Sequence, residues 1–509
     1  MGVFVPWLLA FVLLQQAKDP AQEQIDEFRK FYKPSRTTHE RVEAIHVLDG
    51  IDRVAAAELL LEACGDPQFP VREAALQVLA GYRSDEVREL LRKAAADDKG
   101  TKTGRRSGAI QTLGTLGDAA SLPVLVKTLA QNDFELRRAC IVALGQLRSA
   151  EAVEPLSKVL ADPEPALRTA ALDALGLIRA PEKSLPAMVP LLQADEWQVR
   201  AAAIQAIGKL RSKEAIQPLI DALVREKGRL REDAAAALLQ TTTFEFDDDA
   251  AAWQRWWDGV KDRFQVPSDE ELAKRKEAIE KNQAKYKNKA AEFVGVPTKS
   301  RRLVFVIDTS GSMEDLIGDT RNFKLKDRGY RSYMKMDIVK DELCRSIDGL
   351  EPTVRFNILT FATEVKSWKS GLVVANVVNK TGAIKYVQDL KAIGGASQGF
   401  NARAGLGGTA GLSAGKTNTY AALMTALDAG GRGLYDKHYD SQVDTLYFLS
   451  DGVPSTGEYV EKEDILAEVR RVNTLRKLVI HTISIGDMDH DLMEHLARQN
   501  GGTFLDLGK

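Results

Sequence analysis

Two hydrophobic periods divide the chain. From about Arg53 to Leu239 apolar residues recur at the three- and four-residue steps of an amphipathic helix, as in "FELRRACIVALGQL", "PALRTAALDALGLI" and "WQVRAAAIQAIGKL". Beyond Arg301 they come instead in short continuous runs, "RRLVFVID", "TVRFNILTF", "VDTLYFLSD" and "KLVIHTISI", separated by helical patterns. Runs rich in Val, Ile, Leu and Phe that alternate with helices predict a mostly parallel sheet covered on both faces. The expected fold class is multidomain: an all-α solenoid followed by a doubly wound α/β domain.

The helical half repeats itself. Arg72, Arg105, Arg137, Arg168, Arg200 and Arg231 form one column at steps of 33, 32, 31, 32 and 31 residues, and Pro123, Pro155, Pro186 and Pro218 form another at 32, 31 and 32. A fixed period in the thirties with two amphipathic stretches per unit marks a solenoid, because each helix pair can bury its apolar face only against its neighbours. Gly145, Gly176 and Gly208 stand where a left-handed cap is expected to end each second helix, and the prolines stand near the start of the next one. The repeats resemble the HEAT family, particularly the short bacterial version of phycobilisome-lyase-like proteins. Asp66, Asp133, Asp162 and Asp195 lie just upstream of the arginines, so the column is expected to join neighbouring repeats in Asp–Arg ladders rather than to bind a polyanion.

After the last repeat, Trp253, Trp256 and Trp257 share one helical face and are expected to cap the open end of the solenoid. The charged stretch from Pro267 to Glu292 has Glu270, Glu271 and Glu277 each four residues before a cation, which predicts a solvated helical spacer. Expected boundaries are 40–264 for the solenoid with its cap, 265–299 for the linker and 300–509 for the α/β domain.

In a parallel sheet ligands sit outside the carboxyl ends of the strands, and three loops there carry oxygen donors. "DTSGS" holds Asp308, Ser310 and Ser312, a second loop holds Thr417, and the strand "TLYFLSDG" ends in Asp451. Hydroxyls with one or two carboxylates and retained waters suit a hard cation such as Mg²⁺. The pattern D-x-S-x-S, then a threonine, then an aspartate in a strand-end "DG", resembles the metal-ion-dependent adhesion site of the von Willebrand factor A family, over roughly Arg301 to Lys509. That resemblance implies that Ser310, Ser312 and Thr417 bind Mg²⁺, or Mn²⁺ or Ca²⁺, through their hydroxyls, with Asp308 and Asp451 acting directly or through water. It also implies a protein partner whose carboxylate completes the coordination. Glu314 to Lys335 and Gly394 to Gly415 are expected to be insertions beside the site.

"AGLSAGKTNTY", Ala410 to Tyr420, mimics a phosphate-binding loop, but Lys391 to Ala410 has no apolar run to supply the strand such a loop must follow. Nucleotide is therefore not expected. His490 and His495 are five apart and do not share a helical face as zinc ligands would. Ser310 lacks a nucleophile elbow and a histidine base, so no catalysis is expected there. Cys64, Cys140 and Cys344 form neither a disulfide framework nor a metal knuckle. With 70 Lys and Arg against 72 Asp and Glu, no net field draws the chain to nucleic acid.

The apolar run from Val3 to Leu14 is too short to cross a bilayer and has the length of a signal-peptide core, with residues 1–17 the expected leader. The alternative is an apolar amino-terminal helix. No later segment is apolar enough to span a membrane. The expectation is an exported, non-enzymatic binding or scaffold protein with the solenoid as a second interaction surface. An accessory subunit of an ATP-driven, chelatase-like machine is the alternative, and a lyase acting through the repeats a weaker one.

Overall fold

The computed structural model describes residues 19–100, 102–283, 291–293, 296–298, 300–317, 328–330, 332–394, 415–427, 443–486 and 490–507. The expected leader, half of the expected insertion Glu314–Lys335 and most of that at Gly394–Gly415 lie outside the described residues. Contacts divide the chain into two units, Met1–Thr112 and Leu113–Lys509.

The first unit is helical: α1 (Pro20–Phe31), α2 (Thr38–His46), α3 (Val54–Ala63), α4 (Phe69–Gly81), α5 (Asp85–Ala96) and the larger part of α6 (Thr103–Thr115). A capping box between Thr37 and Glu40 starts α2. Ile45, Leu48, Leu60, Leu61 and Leu79 are completely buried, and the buried Arg41 guanidinium is paired with Asp66.

The second unit continues the repeats with α7 (Leu122–Leu129), α8 (Phe134–Leu147), α9 (Val153–Val159), α10 (Pro165–Ile178), α11 (Pro181–Met188), α12 (Trp197–Leu210), α13 (Ile216–Arg225) and α14 (Arg229–Thr242). The glycines do a different job from the one expected. Gly145, Gly176 and Gly208 lie inside α8, α10 and α12, where a Cβ would stand 2.8 Å from the Ala174 Cβ, 3.1 Å from the Ala206 Cα and 2.7 Å from the Ala237 Cβ. They let successive second helices approach backbone to backbone. The left-handed caps are Arg148, Arg179 and Arg211, at φ of 50°, 55° and 50°.

The arginine column is structural, but its partners are mixed. Arg137 is paired with Asp162. Arg168 and Arg200 reach Glu196 at 2.8 Å and Glu226 at 3.0 Å. Asp133 instead caps α8 by accepting from the Leu136 N–H. At the end of the repeats α15 (Ala250–Val260) buries Trp253 and Trp257 among Phe246, Trp256 and Phe264, as a cap requires. The first turn of the following helix, α16 (Asp269–Gln283), is docked on the repeats through Asp269, which is bonded to Arg179 and Arg211.

The α/β part opens with a hairpin of β1 (Ala291–Phe293) and β2 (Val296–Thr298). The main sheet contains β3 (Arg302–Asp308), β4 (Arg355–Phe361), β5 (Val365–Ser367), β6 (Val373–Val374), β7 (Thr445–Ser450), β8 (Val479–Ser484) and β9 (Phe504–Asp506). Its order is β5-β4-β3-β7-β8-β9, with β6 also on β4. The ladders from β4 through β3, β7 and β8 to β9 are parallel; β5 and β6 are antiparallel additions at the β4 edge.

Helices cover both faces. α17 (Lys335–Gly349) and α18 (Val377–Asp389) pack on one with Phe305, Phe356 and Ile358. α19 (Thr419–Ala426), α20 (Lys462–Arg476) and α21 (His490–Gln499) pack on the other with Val306, Phe448 and Ile480.

The repeats meet the sheet at the amino ends of its strands. Arg229, first residue of α14, donates through Nη1 to the Asp444 carbonyl at 3.2 Å and to that of Lys477. The Trp197 ring lies under both the Arg229 and Arg302 guanidiniums, at 5.8 and 5.1 Å. Lys477 donates to Asp173 of α10 at 2.7 Å. The carboxyl ends of the same strands are at the other edge of the sheet.

Candidate metal centre

The chain leaves β3 for β4 on one side of the sheet and later returns to place β7 on the other side, so the crevice between the carboxyl ends of β3 and β7 is the topological switch point. Asp308 ends β3, and Asp451 follows the last residue of β7. Two of the three donor loops are thereby set by strand order alone.

The third is pinned by backbone. Gly311 donates to the Gly415 carbonyl at 3.1 Å, Asn418 to that of Ala362 at 2.9 Å, and Ser455 to that of Thr417 at 2.9 Å. The Thr417 N–H donates to the Ser455 hydroxyl at 2.9 Å, and the Asn418 side chain caps α19. Thr417 is thus held beside Asp451 before its side chain does anything. The residues described just ahead of it, 391–394 and 415–416, contain no strand, and "AGLSA", 410–414, lies outside the described residues.

All five expected residues come together. Ser310 donates its N–H to Asp308 Oδ1 at 2.7 Å, and the Ser450 hydroxyl donates to Oδ2. The Ser310 and Ser312 hydroxyls are 3.2 Å apart, and Ser312 donates to Asp451 Oδ1 at 2.8 Å. A Cβ on Gly452 would stand 3.0 Å from Thr417 Oγ1 and 3.7 Å from Ser312 Oγ, so this glycine keeps the space between the two hydroxyls clear. Burial, reinforced by the neighbouring Asp451 carboxylate, pushes the Asp308 carboxyl up to about 6. Two buried carboxylates side by side call for a cation.

Three hydroxyls and two carboxylates make a hard-oxygen set of the kind Mg²⁺ prefers, with room for retained water. Among the described residues no group of three or more His, Cys, Asp or Glu is arranged to hold a metal, so a cation at this edge depends on the hydroxyls. His490 and His495 do not enter the site; they lie against Asp506 and Asp491.

One member of the site was not foreseen. Lys335, the first residue of α17, donates to Asp451 Oδ2 at 2.8 Å from a side chain that is 10% exposed. Gly486, at φ +104°, makes way for it, since a Cβ there would lie 2.7 Å from Lys335 Cε. The signal in the sequence is that Lys335 falls on the apolar stripe of its helix with Ile338, Val339 and Leu343, where a solvated lysine has no place.

The family model described as the von Willebrand factor type A domain matches residues 325–505, and that described as HEAT repeats matches 25–106, 103–176 and 153–239. HEAT repeats here precede a von Willebrand factor type A domain. The domain match contains Thr417 and Asp451 and begins after the Asp308–Ser312 loop.

Inter-alpha-trypsin inhibitor heavy chain H4 of Homo sapiens is 26% identical over 212 residues, 41% of this chain and 18% of the relative. The chain therefore spans under a fifth of that relative's length. Among solved structures, the von Willebrand factor type A protein of Catenulispora acidiphila has a TM-score of 0.28 at 19% identity, over 42% of this chain and 39% of that one. The phycocyanin lyase complex of CpcE and CpcF from a Nostoc species has 0.27 at 20%, over 54% and 99%. Both scores are too low to bear on function.

Proposed function

We propose that this is an extracytoplasmic, non-enzymatic binding and scaffold protein that engages an acidic group of a protein partner through a divalent cation held by Asp308, Ser310, Ser312, Thr417 and Asp451. The observation that carries this reading is the convergence of these five side chains at the switch point, with Asp308 completely buried beside Asp451. Ser310, Ser312 and Thr417 supply hydroxyls, and the two carboxylates supply charge. Mg²⁺ is the expected ion, Mn²⁺ or Ca²⁺ the substitutes. With the ion held there, a partner carboxylate would complete its oxygen coordination, and a contact of that kind with a metal's full charge would be specific as well as strong.

The similarity to a relative named as the heavy chain of a trypsin inhibitor supports a role in protein assembly rather than catalysis. No helix among the described residues is long and apolar enough to cross a membrane. The repeats supply a second surface, at the edge of the sheet away from the cation.

Affinity capture from native extract in Mg²⁺ and in chelator tests the proposal, with Asp308→Ala and Thr417→Ala as variants. The expected result is a partner that is captured only with Mg²⁺ and lost in Asp308→Ala, while circular dichroism of both variants stays that of the parent. Capture that is equal in chelator, or unchanged in Asp308→Ala, overturns it.

A further inference from the structure

A second arginine column runs along the repeats, separate from the one that joins them. Arg148, Arg179 and Arg211 follow α8, α10 and α12, and each adopts the left-handed backbone that favours glycine. Three consecutive repeats thus end their second helix on an arginine at the left-handed cap position, which sets the three residues at equivalent places along the solenoid. All three line one open cavity of about 420 Å³, together with Lys209 and the apolar Leu177 and Leu272.

The cavity already binds a carboxylate. Asp269, at the start of α16, makes two hydrogen bonds of 3.3 Å with Arg179 and is bonded to Arg211. These guanidiniums, Arg179 foremost, hold its carboxyl below the usual range. Arg211 is 5% exposed, and its Nε has no hydrogen-bond partner. The Arg148 and Lys209 side chains make no hydrogen bond or ion pair among the described residues. Four cations therefore face one acid, and two of them are unpaired.

We infer that this groove binds an extended acidic peptide of a partner protein, and that Asp269 is an internal stand-in for one of its side chains. The seated group is a carboxylate on a polypeptide, which sets the ligand chemistry. The spacing fits as well. Helices α8, α10 and α12 pack side by side, which places successive arginines roughly 8–10 Å apart. A peptide in the extended polyproline-II conformation repeats every three residues and rises about 3.1 Å per residue, so acids at every third position share one face and meet successive rungs. Leu177 and Leu272 then cover the small residues between them.

The test uses the full chain in chelator, which silences the cation site and keeps this inference separate from the one above. The probe is a fluorescein-labelled dodecapeptide of four Asp-Ser-Ala units, read by anisotropy. Arg148→Gln with Lys209→Gln removes cations that hold nothing in the fold, and should weaken binding at least about tenfold. Asp269→Asn should strengthen binding several-fold with an unchanged circular dichroism spectrum. Should that variant lose structure, the Arg148/Lys209 pair alone decides. No binding to the parent chain, or binding unaffected by the double substitution, overturns the inference. Equal displacement of the peptide by an oligonucleotide of matched charge also overturns it, because the groove is then a general polyanion surface.

Discussion

Lys335→Met is the most informative single change at the cation site. The substitution keeps the length and apolar stem of the side chain and deletes the ammonium that rests 2.8 Å from Asp451. Asp451 has no exposed side-chain surface and the lysine only 10%, so this is a buried pair. Removing one partner of such a pair costs about 3–5 kcal/mol, since the other charge is left uncompensated. Asp308 beside it worsens the repulsion. In chelator the variant should therefore melt about 6–20 °C lower, at the 2–4 °C per kcal/mol usual for a folding unit of this size. In saturating Mg²⁺ the loss should shrink to about 1 kcal/mol, because a divalent charge replaces the missing ammonium. Linkage then requires Mg²⁺ to bind the variant more tightly by the difference, at least about tenfold. Calorimetric melting with and without Mg²⁺, and titration calorimetry of the ion, measure both sides of this cycle. An equal loss of stability in Mg²⁺ and in chelator, with unchanged Mg²⁺ affinity, refutes the reasoning and leaves Lys335 a packing residue.

Three further outcomes follow from the geometry. Gly452→Ala puts a methyl group 3.0 Å from Thr417 Oγ1, and should weaken Mg²⁺ binding measured by titration while the melting curve in chelator stays that of the parent. Arg229→Gln should destabilise the chain by about 2–4 kcal/mol in urea unfolding, since it breaks the bonds to Asp444 and Lys477 and strands the half-buried Asp233. Burial, aided by Arg229, lowers the His481 imidazole to about 4 in the fold, against about 6.5 when unfolded. Its contribution is thus complete above pH 7 and falls as pH drops from 6.5 toward 4, by about 2 kcal/mol at pH 5. His481→Gln keeps an acceptor for the Thr503 N–H and should flatten that slope; a slope that persists assigns it to another group.

How much of this was legible depended on whether the cause was local. The strand "RLVFVID" and the helix behind it announce themselves by apolar runs and spacing, and the five oxygen donors by their fixed pattern. Switch-point placement follows once the strands are recognised. The repeat glycines were legible as special but misread, because a glycine inside a helix near its end resembles a cap when the partner helix is unknown; only the Ala174, Ala206 and Ala237 contacts decide it. Helix α18 escaped notice because it buries little beyond Ala383 and Val387 and exposes Val377 and Val378. The contact of Trp197 with Arg302 joins residues more than a hundred positions apart, and no period in the sequence encodes such a meeting. Lys335 is the intermediate case, a charge on an apolar stripe whose partner lies far along the chain.

The placement of repeats and cation site at opposite ends of the same strands has a mechanical consequence. Arg302 at the start of β3 touches the repeats through Trp197, and Asp308 ends the same strand at the candidate metal. Six residue steps of covalent backbone, about 20 Å of extended chain, separate the two. When a partner gripping the carboxyl edge is pulled away from whatever holds the repeats, the load runs lengthwise through β3. Its hydrogen bonds to β4 and β7 are then sheared together rather than peeled one at a time. The end attachments, Trp197 with its two arginines on one side and the candidate cation site on the other, are small beside the ladders that β3 shares with β4 and β7, so the assembly should detach before the sheet unravels.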